Sequence, residues 1–536
     1  MKNVPLAKQR KIICLGIGGE SLYYVALFFL KLGTHIVGYD ITKSEKTSVL
    51  EKNGAAIYYQ NPEGKLEPCD LIFYSDSLPD YVINKIKSSN PSTPLQEVGE
   101  FVHFLVSQYT KGKLTNSQQH AFRESGIAPL YDIKLGNEKL IGVTGTDGKT
   151  TVVSMICHIL SKTGTTPGVI STVGAQINNQ FLDTGLHTTT PSQQQILPLL
   201  QTMQKNKCSH IVIECTSQGL FMGRLAGLHF DVAVFTNITN EHLGYHKTWK
   251  RYAQAKSLLI TDHLKPDGNT VLNLDDKKSY TLLKKLATDS IDYSCNPTKN
   301  PKDAAIRVKD INESATGITF EYHSTHYSIP VLGKYNVSNV LAAACALQPL
   351  GIGITQSFTA LADFPGVEGR MQVIQSSPFI VIIDFAHTPN GLFSALTASR
   401  RILQKNGRLV VVFGCAAKRD ATKRISMGKY AKKFADITIL TAEDSRSENL
   451  AAINDQIEEG WHSEVTQGPR QLIRFDDDKK NVKVRRDAIK KALEFATKGD
   501  VVLITGKGHE KSLCFGTTEY PWSDIDETKK LLVTHI

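Results

Sequence analysis

The chain has 536 residues, 41% of them hydrophobic and 21% charged, values close to globular averages that exclude a disordered or fibrous polypeptide. That length is too great for one core, so about three domains of roughly 100 to 200 residues are expected. A net charge of +10 suits phosphate-bearing small molecules, and with no long Lys/Arg block or aromatic-interleaved basic stretch, nucleic acid is not expected as a partner.

Met1 to Arg10 is basic but runs straight into a strand-like segment, without the apolar core and small-residue cleavage site of a secretory signal. The most apolar run, Leu22 to Leu30, is closed by Lys31 well before the ~20 residues of a membrane span. It reads as a buried helix, and the chain as a cytoplasmic protein with no membrane partner. Nine cysteines lie scattered without CxxC pairs. Several sit in apolar strands (Cys14, Cys215, Cys415), as small core residues of a reducing compartment do.

In chain order, KIICLGIGG (Lys11 to Gly19) reads as a strand entering a Gly-rich turn, followed by an apolar helix ending near Gly33 and the strand HIVGYD. In such a β-α-β unit Gly16, Gly18 and Gly19 let backbone amides approach a diphosphate at a helix N-terminus. Asp40 ends the second strand, where a ribose or base could be contacted. Ser21 stands where a dinucleotide fingerprint has its third glycine, so NAD, another nucleotide or a structural turn all fit. A further strand, Leu71 to Ser75, ends in a polar loop. Residues 1–110 thus read as a small α/β domain, and the polar, aperiodic residues 111–138 as a linker to a second domain, 139–355, and a third, 356–536. The expected class is α/β throughout: a Rossmann-like first domain, a P-loop ATPase-like centre with a mostly parallel sheet, and a Rossmann-like third domain.

The most specific feature is LIGVTGTDGKTT, Leu140 to Thr151, an apolar strand running into a Gly-rich loop and then a helix. Backbone amides of Gly145, Thr146, Asp147, Gly148 and Lys149 can line an anion nest. Lys149 brings a point charge to the β- and γ-phosphates, and the hydroxyl of Thr150, beside Thr151, can bind Mg²⁺. Val143 occupies the first glycine position of the strict pattern. Downstream, Glu214 ends a strand, and Asn237 and His242 follow another. A carboxylate at a strand end beside an ATP loop suits a hard cation. Taken alone, His242 equally suits a cap or a core, and Lys256 reads as a solvated helix lysine.

TGTDGKTT, then TTPS at Thr189 to Ser192, then TNITNEHLGYHKTWKRYAQAK ending at Lys256 resemble the Mur ligase family, and the resemblance spans nearly the whole chain. It implies a ligase that uses ATP, released as ADP and phosphate, to add an amino acid to the peptide of a UDP-linked cell-wall precursor through an acyl phosphate. The implied catalytic residues are Lys149, Glu214, His242 and Lys256. Lys256 would be carbamylated by CO₂, and two Mg²⁺ ions would sit on Thr150, Glu214, His242 and that carbamate. GKYNVSNVLAAACAL, EGRMQVI and VIIDFAHTPNGL match the family's adenine-side Asn336 and its nucleotide contacts Arg370, Asp384 and His387, which join residues 145–151 and Asn237 around ATP. On the precursor side the resemblance implies Gly18, Gly19, Asp40 and Ser75 for the UDP part, with Thr189, Thr190, Ser217, Arg224 and Arg419.

The motifs VVFGCAAKRDATKRISMG, TAEDSRSE and ITGKGHEKS resemble the tripeptide-synthetase branch, the MurE type, whereas GIGGESLYYVA and YSDSLP resemble the first domain of the alanine-adding MurC type. Diaminopimelate-adding members usually carry DNPR where this chain has EDSR, Glu443 to Arg446. Arg446 remains available for the distal carboxylate, and Gly506 and Glu510 for the distal amino group. Asp444 in place of Asn would repel that carboxylate and favour lysine unless it turns to solvent or pairs with Arg446. The expectation is a monomer that adds meso-diaminopimelate to UDP-MurNAc-L-Ala-D-Glu. A lysine-adding or alanine-adding step, a folate-type glutamate ligase and a non-catalytic nucleotide-binding regulator are the alternatives.

Overall fold

The computed structural model describes residues 10–62, 64–75, 78–127, 129–177, 180–182, 189–239, 246, 248–296, 305–417, 421–476 and 481–534. Short apolar strands alternate with amphipathic helices along the chain, and among the described residues they assemble into three main sheets.

The first sheet is parallel, in the order Ala56–Tyr59, His35–Asp40, Lys11–Leu15, Leu71–Tyr74, Leu95–Glu97. Successive side chains serve opposite faces. Ile12, Cys14, Ile36 and Phe73 face one core with the helices Glu20–Lys31 and Val98–Thr110, while Ile13, Leu15, Val37 and Ile72 face a second with Ile86. Leu22 to Leu30 falls within the helix Glu20–Lys31, which buries Leu22, Val25, Ala26, Phe28 and Phe29. Residues 111–138 are more than the expected linker. Helix Asn116–Glu124, started by a Thr115/Gln118 capping box, places Leu114, Ala121, Phe122 and Ile127 in the first core, and Phe122 stacks on Tyr109 at 4.2 Å. Polar composition hid those few apolar positions.

The central sheet runs Ile306–Arg307, Ser290–Ser294, Leu264–Asn273, Phe230–Phe235, Lys139–Thr144, His210–Glu214, Pro167–Ser171, Gly174–Ile177, Gln180–Leu182, with only the last two strands antiparallel to their neighbours. Its middle strand Lys139–Thr144 feeds the helix Lys149–Lys162, and on the same face the Ala-rich helix Asn336–Leu347 completes a core of Val143, Val152, Ile156, Val340 and Leu341.

The third sheet has the order Gln372–Gln375, Ile380–Asp384, Val501–Thr505, Leu409–Phe413, Ile437–Leu440, Gln471–Arg474, antiparallel only at the first strand. Asp384 ends its strand, and Gly506, Gly414 and the Glu443 loop lie just past the ends of theirs, the edge where open α/β sheets bind ligands. Among the described residues no helix is long and apolar enough to cross a membrane.

Candidate active site

Strand register builds the centre of the site. Val143 pairs with Glu214, and Thr144 with Phe235, so loop 145–148 leaves the sheet between Glu214 and the pair Thr236, Asn237. Asn237 brackets Asp147: its Oδ1 accepts from Asp147 N at 3.0 Å, its Nδ2 donates to Asp147 O at 3.2 Å, and its carbonyl accepts from Thr146 N at 2.7 Å. Gly148 has φ +83°, and a Cβ there would lie 2.3 Å from Asn339 Oδ1, so the loop can only turn here on glycine. The loop amides then lead into helix Lys149–Lys162, as anion-binding loops do. Lys149 Nζ lies across the loop, 2.8 Å from Thr146 O. Thr151 follows half-buried on the first turn.

Glu214 is 1% exposed, and hydrogen-bond donors surround it. Thr150 Oγ1 is 3.1 Å from both carboxylate oxygens, and Thr172 offers its amide and hydroxyl to Oε2, each at 2.9 Å. Thr189 Oγ1 stands 3.0 Å from the Thr172 hydroxyl, Thr190 donates to the Glu214 carbonyl at 2.8 Å, and Arg224 donates to Thr190 O at 2.8 Å. Thr189, Thr190 and Arg224 therefore form a brace behind Glu214. An all-oxygen environment of this kind fits Mg²⁺, although among the described residues no three His, Cys, Asp or Glu side chains cluster. His242 and Arg419 fall outside the described residues.

Lys256 departs from the solvated lysine of the sequence reading. It is 1% exposed, its Nζ donates to the Gly145 carbonyl at 2.6 Å, and it sits 4.7 Å from the Tyr252 ring centroid. The helix Trp249–Thr261 buries Tyr252, Ala253, Ala255, Lys256, Leu259 and Ile260, so the lysine lies on the apolar stripe, at the spacing of an inward face. That spacing was the available signal. His246 packs nearby, its Nε2 3.1 Å from Ser217 Oγ, and burial followed by the charge of Lys256 lowers its pKa to about 4. It is neutral at physiological pH.

The third sheet faces this centre. Asn390 Nδ2 donates to Asp147 Oδ2 at 2.7 Å. The Arg370 guanidinium lies 4.3 Å from the Phe385 ring, and burial lowers its pKa against the opposing pull of Asp384, Glu214 and Asp147. Asp384 accepts from the amides of Met371 and Ala386 at 2.7 and 2.8 Å, and burial raises its pKa. His387 Nδ1 is 3.0 Å from Phe385 O, and its carbonyl accepts from Lys423 at 2.7 Å. Asn336 reaches the loop indirectly: its Oδ1 accepts from Asn339 Nδ2 at 2.7 Å, and Asn339 abuts Gly148. Thr172, Asn339 and Asn390 were not singled out in the sequence, where only the i, i+3 pair Asn336, Asn339 offered a signal.

At the other end of this sheet edge, Asp444 neither turns to solvent nor pairs with Arg446. Its Oδ1 accepts from Lys507 Nζ and Cys514 N, both at 2.9 Å, and Lys507, 1% exposed, also meets Glu510 Oε2 at 2.5 Å. The Arg446 side chain is 41% exposed, and its guanidinium lies 3.9 Å from the Glu519 carboxylate. Gly506 N donates to Asp384 O at 3.2 Å, which ties this loop cluster to the strand end at Asp384. Burial raises the pKa of Glu443 to about 7, with Lys423, Arg485 and Lys507 opposing.

Gly18, Gly19, Asp40 and Ser75 form a separate cluster at the edge of the first sheet. Asp40 spends its oxygens on Gly18 N at 2.7 Å and Thr42 N at 3.2 Å, Gly19 caps the helix Glu20–Lys31, and Ser75 N donates to Leu15 O at 3.2 Å. Asp40 here braces the turn.

Three family profiles match in series: "Mur ligase family, catalytic domain" over residues 11–109, "Mur ligase middle domain" over 143–347 and "Mur ligase, glutamate ligase domain" over 369–508. The chain is 36% identical over 381 residues, 69% of its length and 72% of the relative's, to the UDP-N-acetylmuramoyl-L-alanyl-D-glutamate--2,6-diaminopimelate ligase of Chlorobaculum tepidum. It is 35% identical over 414 residues, 74% and 78% of the two chains, to the enzyme of that name from Bacillus velezensis. A solved diaminopimelate ligase of the same name shares the fold with a TM-score of 0.53 at 24% identity, covering 94% of each chain. The chain belongs to the Mur ligase family of ATP-dependent, Mg²⁺-requiring acid–amino-acid ligases.

Proposed function

We propose that the chain adds meso-diaminopimelate to UDP-MurNAc-L-Ala-D-Glu in the cytoplasm, as a monomer, in the synthesis of peptidoglycan precursors. Relatives at about 35% identity carry that activity in their names. The single observation that carries the choice of amino acid is the Lys507–Asp444 pair. A buried lysine pairs with the anion that EDSR adds to the pocket, and the half-exposed Arg446, held only by a long contact to Glu519 at 3.9 Å among the described residues, can turn to a carboxylate.

On this reading the first domain takes the UDP part through Gly18, Gly19, Asp40 and Ser75, the second takes ATP, and the third brings Arg370, Asp384, His387 and the amino-acid pocket. Loop 145–149 cradles the phosphates with Lys149 as their point charge, and Asn237 and Asn336 hold the loop and the adenine side. Thr150, Glu214, His242 and a carbamylated Lys256 would hold two Mg²⁺ ions, which supply charge neutralisation between the precursor carboxylate and the γ-phosphoryl group. The carboxylate oxygen bonds to the γ-phosphorus and ADP leaves. The amine of the amino acid then attacks the acyl carbon, phosphate leaves, and the amine gives up a proton. Thr189, Thr190, Ser217, Arg224 and Arg419 serve the precursor peptide.

The test is ADP release with UDP-MurNAc-L-Ala, the dipeptide form and the tripeptide form, each offered diaminopimelate, L-lysine and L-alanine. Turnover restricted to the dipeptide acceptor with diaminopimelate is expected. Preference for another acceptor or amino acid overturns the assignment.

A further inference from the structure

Arg485 lies on the inward face of the helix Lys483–Phe495 and is fully buried, as is Asp524 at the head of the helix Asp524–Thr534. Its Nε and Nη2 donate to the two oxygens of that carboxylate at 2.8 and 2.7 Å, the bidentate arrangement that a planar guanidinium favours. The same guanidinium reaches two backbone carbonyls. Nη1 donates to Ala442 O at 2.9 Å, and Nη2 to Thr505 O at 2.8 Å. Ala442 follows the strand Ile437–Leu440 and Thr505 ends the strand Val501–Thr505, and these two strands flank Leu409–Phe413 in the third sheet.

The residues that follow those carbonyls are Glu443 to Arg446 and Gly506 to Glu510, the two loops assigned above to the amino acid. The loops touch at Gly506, where a Cβ would stand 2.5 Å from Glu443 Oε2. Asp444 and Arg446 have φ of +40° and +46°, conformations that residues other than glycine keep only where their surroundings fix them. Here Ala417 N donates to Asp444 O at 3.0 Å and Cys514 N to Asp444 Oδ1 at 2.9 Å, while the Arg446 backbone donates to Cys514 O at 3.2 Å and accepts from Gly516 N at 2.7 Å. Arg485 holds the loop at its base. A buried ion pair adds little net stability, since desolvation offsets the attraction. What an apolar side chain could not supply at this position is a fixed distance between two carbonyls.

We propose that Arg485, clamped by Asp524, is a positioning residue for the amino-acid pocket: it sets the separation of the Glu443 to Arg446 and Gly506 to Glu510 loops, and with it the place of Arg446 relative to Glu510. The inference rests on the reading of those loops as the pocket for the incoming amino acid. The bonds that Arg485 makes reach neither the glycine loop 145–148 nor the Gly18 cluster, so its effect falls on the amino acid.

R485K keeps a cation beside Asp524 but lacks the fork that spans two carbonyls. With no substrate present, exchange of the Ala417, Cys514 and Gly516 amides, which report on the Asp444 to Arg446 loop, is expected to quicken about ten-fold, the loss of one net hydrogen bond, while the Leu503 amide in the same sheet stays within about two-fold. In turnover, the KM for the amino acid that the wild type uses should rise about ten-fold or more, with kcat and the KM for ATP within about three-fold. Unchanged exchange at those three amides overturns the proposal. So does quickened exchange with an unchanged amino-acid KM, or a fall in kcat alone, the pattern of a residue that serves only stability. If R485K does not fold, R485M combined with D524N removes both charges, keeps an acceptor for Trp522 Nε1 and gives the same comparison. The pocket reading fails on different evidence, an R446A enzyme whose amino-acid KM equals that of wild type, and the exchange measurement on R485K needs neither substrate nor turnover.

Discussion

Asn390 of the third domain donates a 2.7 Å hydrogen bond to the carboxylate of Asp147 in the phosphate loop. The Asp147 backbone is itself bracketed by Asn237, so the glycine loop proposed to hold ATP joins two domains. N390A should remove one charge-assisted but solvent-accessible hydrogen bond, about 1 kcal/mol, and raise the KM for ATP about five-fold. N390D places two carboxylates together and should cost more. Equal effects of the two substitutions on kcat/KM would show that Asp147 does not meet this helix in the working enzyme.

Lys256 makes a second test. In the structure its amine holds the Gly145 carbonyl at 2.6 Å, and a carbamate would replace that donor with an acceptor pair able to hold a cation. K256A should lose activity by about 10² to 10³-fold, the scale for removing one preorganised electrostatic group. Added acetate or formate at high concentration should restore part of it by occupying the space of the missing carboxylate. Full activity without added acid sinks the carbamate.

The strand–glycine turn–helix was legible because its parts follow one another within twelve residues and their geometry is set locally. The places of Glu214 and Asn237 beside that loop were legible for a related reason, since each sits at the end of an apolar strand. Lys256 was misread as solvated because residue type outweighed its place on the Tyr252–Leu259 stripe. Thr172 and Asn390 were missed because their contacts join segments far apart in the chain, and no local pattern records which threonine a distant carboxylate reaches. The helix in residues 116–124 went unseen because only Ala121 and Phe122 among its nine residues are apolar and buried.

Glu443 predicts its own pH dependence. Burial raises its pKa from the ordinary 4.5 to about 7, so between those values the folded chain holds a proton that the unfolded chain has released. Stability from this group therefore falls as pH rises from about 4.5 to 7, by on the order of 3 kcal/mol, and stays low above that range. E443Q carries no charge to bury. It should be more stable than wild type at pH 8 and nearly equal to it at pH 5, as read from urea midpoints. A difference that does not change with pH would place the carboxylate in water.

The pocket's specificity is tested most directly at Arg446 and Asp444. Arg446 is 41% exposed and makes a long contact to Glu519 at 3.9 Å, whereas Asp444 is held by Lys507 at 2.9 Å. If a distal carboxylate is the ligand, it displaces the long Glu519 contact and forms a bidentate pair that becomes buried on binding. R446A then leaves that carboxylate unpaired, and kcat/KM for diaminopimelate should fall by about 2 to 5 kcal/mol while slow turnover of lysine changes little. D444N separates the two contributions. It restores the asparagine that the resemblance implies for diaminopimelate-adding members and leaves Lys507 paired with Glu510. The pocket becomes one charge more positive, so binding of a diacid should tighten and discrimination against lysine should grow. Were Asp444 instead the group that recognises a lysine ammonium, D444N would lose turnover and R446A would be harmless. The two variants, assayed side by side with both amino acids, therefore give opposite patterns for the two substrates.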